Sequence, residues 1–203
     1  MKKYIITSIY LMSIMAFSQT YPILRTVPVE QTFNSEMKIF SGDYVKDTQN
    51  RLNEYQGTWQ YNQNGIEFTL KLIKKPQVIS IQPNGDYTYY DEIISTYKLV
   101  KNNITLVDNL NSSTYTGATN ADSPKYGVFS NIETFDYING VITDLTNNVI
   151  ISRCEISKVA GNPDKIFFKL YHMHSWKRNP ATFYQGLPSI YSIPNEIEMT
   201  KIN

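Results

Sequence analysis

Fifty-two of the 203 residues are β-branched (24 Ile, 18 Thr and 10 Val), against five alanines. Two heavy atoms on Cβ stiffen a side chain against the preceding turn of a helix but fit it to a pleated sheet. Sixteen Tyr and nine Phe add to the same preference. A helical chain wants Ala and straight-chain residues in their place. The sequence therefore predicts an all-β protein. With 41% hydrophobic and 18% charged residues it is not built like a disordered tail. Its length suits one domain that buries about two-thirds of its unfolded surface.

Charge and cysteine content exclude further classes. A formal charge of +1 leaves no basic face of the size that nucleic acid needs. One cysteine, Cys154, forms neither an intrachain disulfide framework nor a zinc-ribbon site. The N-terminus reads as an address. Lys2 and Lys3 precede an uncharged run, Tyr4 to Phe17, and Ala16-Phe17-Ser18 sets small residues at a cleavage position before Gln19. The run is 14 residues, short of the ~20 that a spanning helix needs. Residues 1–18 are therefore expected to be a secretion signal, and cleavage leaves 17 basic against 18 acidic residues. The expected location is the periplasm or the outside of the cell, with no membrane-spanning segment after cleavage. In an oxidising compartment a lone thiol has no internal partner, so burial must supply the stability.

Residues 19–43, with Pro22 and Pro28, show no clear period and are expected to be an irregular lead-in to a single domain over 44–203. Asp47 or Thr48 is placed to cap a short helical turn after Tyr44-Val45-Lys46. Gly57-Thr58-Trp59-Gln60-Tyr61 alternates as a first strand, and Gln63-Asn64-Gly65 is a hairpin signal. Ile66, Phe68, Leu70 and Leu72 then share one strand face, with Glu67, Thr69 and Lys71 opposite. Strand-like segments follow at 87–100, 104–108, 126–138, 141–144, 149–159, 165–174 and 196–202, with turns expected at Asn84-Gly85, Asn102-Asn103, Asn139-Gly140 and Gly161-Asn162. The expected architecture is an antiparallel up-and-down meander closing into a β-barrel of about eight to ten strands, because short consecutive turns suit a barrel. A two-sheet β-sandwich is the alternative, with the 109–125 and 175–193 loops as its long returns.

One stretch is more specific than composition. Tyr44-Val45-Lys46-Asp47-Thr48, Leu52, Tyr55 and Gly57-Thr58-Trp59 resemble the opening motif of lipocalin-like (calycin) barrels. With Tyr89-Tyr90-Asp91-Glu92, Tyr97-Lys98, Ser192-Ile193-Pro194 and Glu198-Met199-Thr200-Lys201, the chain from 44 to 203 also resembles a family of small secreted Bacteroidota proteins whose domain has no assigned function. The lipocalin resemblance implies that Trp59 closes one end of the barrel and that Gly57 lets the preceding turn pack close. It implies no catalytic residue. The lipocalins' later motifs are absent, so ligand binding carries over only as an option.

Sites weighed on their own residues remain sparse. His172 and His174 lie two apart on a strand and share a face, but a metal needs a third ligand and none is marked. Tyr87, Tyr89 and Tyr90 offer an aromatic surface for a sugar or a partner, yet Tyr90 falls on the opposite face. Glu196 and Glu198 read as a solvated strand face. Cys154 reads as a buried, inert thiol, since Arg153 points to the other side of the strand. No nucleophile elbow, P-loop or His-Glu-x-x-His is present. The expectation is no enzyme, no metal and no cofactor. Two functions stay open. One is a binder of a small apolar or amphipathic molecule, held in the interior by Phe68, Leu70, Tyr97, Leu99, Phe168 and Leu170, chosen by strand alternation. The other is a cell-envelope module with a packed barrel that contacts a protein or a glycan through its loops.

Overall fold

A computed structural model describes residues 21–33, 36–112, 127–134, 137–146, 150–171 and 191–203. The proposed signal at 1–18, the histidine pair and most of the two long loops lie outside the described residues. Within them the chain is all-β. Its eleven strands are β1 (Arg25–Pro28), β2 (Asp43–Lys46), β3 (Gly57–Gln63), β4 (Ile66–Ile81), β5 (Tyr87–Lys101), β6 (Ile104–Asp108), β7 (Gly127–Thr134), β8 (Tyr137–Asp144), β9 (Ile150–Val159), β10 (Asn162–Tyr171) and β11 (Ile197–Lys201). Two 3-10 turns, Val29–Phe33 and Arg51–Glu54, are the helical elements among the described residues.

The strands form one mixed sheet in the order β1-β2-β5-β4-β3-β11-β10-β9-β8-β7, with β6 on β5. Antiparallel pairs of sequence-adjacent strands account for β3-β4-β5 and for β7 to β11, as a meander requires, the last pair joined across residues 172–196 rather than by a hairpin. The N-terminal strands depart from it. β1 runs parallel to β2, and β2 runs parallel to β5 through Tyr44↔Tyr89 and Val45↔Tyr90. The sheet is therefore not purely antiparallel, and residues 19–43 are not simply irregular. Four residues that pair in parallel across a long loop carry no local signature, since parallel partners need no turn between them. One edge of β5 is shared along its length. It meets β2 first, then β7 over Ile93↔Phe129 to Ser95↔Gly127, then β6 over Lys98↔Asp108 to Lys101↔Ile104.

Two turn expectations resolve differently. Asn64-Gly65 does turn, with Asn64 at φ 55° and Gly65 at φ 74°. Asn139-Gly140 does not: both lie inside β8, paired with Glu155 and Cys154 of β9, and Asn139 is buried. Asn-Gly signals a hairpin only where the flanking strands pair with each other, and here both sides of it pair with β9 as one strand. β4 also runs nine residues past Leu72, crossing Pro76 by a bulge at Gln77, whose φ is 54°. Pro lacks a ladder donor and is tolerated at such a bulge.

The core follows from strand alternation. Trp59, Phe68, Leu70, Leu99, Ile138, Ile156 and Phe168 are among the fully buried side chains and belong to one cluster. Buried carboxylates fasten its edges. Asp91 accepts from the Tyr44 hydroxyl at 2.6 Å, the Asp47 amide at 3.1 Å and the Gln77 amide of the bulge at 3.2 Å. Asp47 accepts from the Arg51 and Leu52 amides at 2.8 and 2.9 Å and pairs with Lys74 at 2.9 Å. The Asp47 side chain thus caps the 3-10 turn and ties it to β4, with a donor for each of its two oxygens.

Candidate functional site

The six side chains singled out for an interior ligand come together in the core. Phe68 and Leu70 of β4 stand opposite Leu99 and Tyr97 of β5, and Phe168 and Leu170 lie on β10. The Phe68 ring is 5.7 Å from that of Tyr97 and 5.4 Å from that of Phe168. Leu170 is 4% exposed, Tyr97 2% and the other four 0%. The Tyr97 hydroxyl donates to the Thr143 carbonyl at 3.1 Å and accepts from the Leu145 amide at 2.8 Å. Burial raises its pKa, chiefly by removing water from the phenolate.

Trp59 and Gly57 sit where β3 meets the C-terminus. The indole is fully buried and donates to the Tyr55 carbonyl at 2.9 Å. The Lys201 ammonium lies 5.2 Å from its ring centre. Gly57 has φ 142°, and a Cβ there would come within 2.7 Å of the Lys201 side chain and 2.8 Å of the Asn203 carbonyl oxygen. Only glycine fits both the conformation and the approach.

The remaining candidates are structural in their contacts. The Tyr87 and Tyr89 hydroxyls donate to the carbonyls of Pro22 and Tyr21 at 2.8 and 2.7 Å, so this pair fastens the lead-in to β5. Tyr90 packs against the core instead. Cys154 is buried, and burial pushes its thiol well above its ordinary pKa. Among the described residues no three His, Cys, Asp or Glu side chains gather as metal ligands, and no helix is long and apolar enough to cross a membrane.

A surface feature stands out that strand alternation does not reveal. β3 pairs with β4 along its whole length, and β11 pairs with β10 from Ile197 to Thr200. Between themselves β3 and β11 pair at Gln60↔Thr200 and Trp59↔Lys201. Past that point the two strands part, and a cleft of about 590 Å³ opens between Tyr61–Gln63 on one side and Ile197 and Glu198 on the other. Tyr61 is half-buried and packs on the core. Gln60 donates to Glu67 at 3.4 Å. Lys165 pairs with Glu198 in the opposite wall. Glu196 precedes β11 at φ 53° and pairs with Lys169 at 3.1 Å, which holds that ammonium above the ordinary lysine value. Glu196 and Glu198 are therefore each matched by a lysine rather than forming a carboxylate pair.

The cleft escapes a reading of the sequence because its walls are about 140 residues apart. The signal that does exist is local: Gln60, Asn62 and Gln63 crowd carboxamides onto the end of a strand that the hairpin already accounts for. No curated protein and no solved structure matches the chain. A family match does extend over residues 1–202, and by it the chain belongs to a family of unknown function, DUF6705.

Proposed function

We propose that this protein is an exported, non-enzymatic interaction module of the cell envelope, with a packed barrel interior and an outer surface that contacts a protein or a glycan. The observation that carries this reading is the state of the six inward side chains. A residue that walls a ligand chamber keeps surface that a water molecule can touch. Four of the six keep none, and Tyr97 and Leu170 keep 2% and 4%. They meet one another instead, at ring separations of 5.4 and 5.7 Å. An apolar ligand in that space would have to displace side chains already in contact, losing the dispersion it was meant to gain.

Closure into a lipocalin-like barrel is supported by the second pairing of β5. Through β7 it links a ring β3-β4-β5-β7-β8-β9-β10-β11 whose successive pairs are all antiparallel, with β11 returning to β3. A ring of about eight strands has an interior that side chains just fill. Export is supported by the charged start and the short uncharged run before Gln19. Native mass spectrometry of protein purified from its host, before and after organic extraction, tests the reading. The expected mass is that of the chain from Gln19 with nothing added. A co-purifying apolar molecule released by extraction would overturn it.

A further inference from the structure

We propose that the cleft between β3 and β11 is a binding site for a neutral saccharide. The proposal rests on the surface-module reading and gives that surface a ligand class. The volume of about 590 Å³ falls within the roughly 300–1,000 Å³ of small-molecule clefts. Gln60 and Asn62 share one face of β3 and Thr200 stands opposite Gln60 on β11, so two carboxamides and a hydroxyl line the cleft together. Each carboxamide carries two donors and an acceptor, the pairing that vicinal hydroxyls require, and Gln60 gives one of its donors to Glu67. The charges in the cleft are matched before any ligand arrives, Lys165 by Glu198 and, beside it, Lys169 by Glu196. A charged ligand would find no unpaired counter-charge in these two pairs, whereas a polyol can hydrogen-bond to the free lone pairs of both carboxylates. Tyr61 lies between Gln60 and Asn62 on the opposite face of β3, packed on the core, so recognition here rests on the polar groups.

An extended peptide is the competing ligand, because parted strands leave backbone edges that can accept another strand. The free edge on β3 runs from Tyr61 to Gln63. At about 3.3 Å per residue that is roughly 10 Å, shorter than an ordinary strand of about five residues. The side chains therefore offer a ligand more than the backbone does.

The test is a heteronuclear NMR titration of the folded protein with cellobiose, maltose, lactose and N,N′-diacetylchitobiose, and separately with a capped Thr-Val-Thr-Val-Thr peptide. At least one disaccharide should bind saturably, with shifts centred on Gln60–Gln63 and Ile197–Thr200. Asn62→Ala, at an exposed position, should weaken it about tenfold, a loss of about 1.4 kcal/mol, and leave the denaturation midpoint unchanged. Thr200→Val, at an exposed position that stays a strand residue but loses its hydroxyl, should weaken it as well. No saturable binding by any of the four sugars, shifts that map elsewhere, or binding untouched by Asn62→Ala would overturn the proposal. So would saturable binding of the peptide at the cleft in place of the sugars. Each of these leaves the packed-interior reading standing, since that reading fails only on a ligand extracted from the interior.

Discussion

Replacing Trp59 tests the core at the point where the N- and C-terminal strands meet. The indole is fully buried, its N–H reaches the Tyr55 carbonyl at 2.9 Å and the Lys201 ammonium lies 5.2 Å from its ring. Truncating a fully buried Trp to Ala costs about 3–5 kcal/mol from lost transfer energy and the residual cavity. The stranded Tyr55 carbonyl and the lost cation–π contact place Trp59→Ala toward the upper end of that range. Domains of this kind have only about 5–15 kcal/mol in total. At a urea dependence of about 2 kcal/mol per molar, the midpoint should fall by about 2 M with the slope kept. Trp59→Phe keeps a ring and loses the donor, so it should cost about 1–2 kcal/mol and move the midpoint by less than about 1 M. Far-ultraviolet circular dichroism followed through a urea titration reads both values. A Trp59→Ala midpoint equal to that of the wild type would refute the reasoning, because no fully buried, hydrogen-bonded indole can be removed at no cost.

Further outcomes follow from single contacts. Gly57→Ala should destabilise by about 1–3 kcal/mol and more than Gly161→Ala, because both glycines have positive φ but a Cβ at Gly161 meets nothing within 4 Å; equal costs in urea would remove the close-approach argument. Cys154 should resist a thiol-specific disulfide reagent in the folded protein and react once per chain in denaturant, since burial both hides the thiol and raises its pKa; rapid labelling of folded protein would contradict this. Arg25 donates to Asp43 at 2.9 and 2.5 Å and holds its carboxyl below the ordinary range. A depressed folded pKa stabilises above the unfolded value of about 3.9 and ceases to do so as pH falls through the folded one. Arg25→Gln should therefore be less stable than wild type near neutrality, with the gap closing below about pH 4; a gap that stays constant into acid would show that the pair does not matter.

How much of this could be read from the chain depends on the separation between partners. Alternation found the inward faces of β4, β5 and β10, because the pleat alone decides which side of a strand a residue takes. Asp47 was legible as a cap, since its amide partners lie within five residues. Its partner Lys74, and the meeting of Tyr44 and Gln77 on Asp91, were not, because they join segments up to 47 residues apart. Parallel pairing of β1 and β2 and the misread Asn139-Gly140 have the same origin: local residues state what a segment can do, and partners decide what it does. The cleft belongs to this class, as neither wall marks the other.

The central claim is that the interior is core and not chamber, and Phe168→Ala tests it most directly. Phe168 is fully buried, with its ring 5.4 Å from that of Phe68. If the interior is packed, urea denaturation of the variant should show a loss of about 3–5 kcal/mol, the cost of emptying a filled site. If the residue instead walls a ligand space, truncation only enlarges that space, and a loss below about 1 kcal/mol would contradict the account.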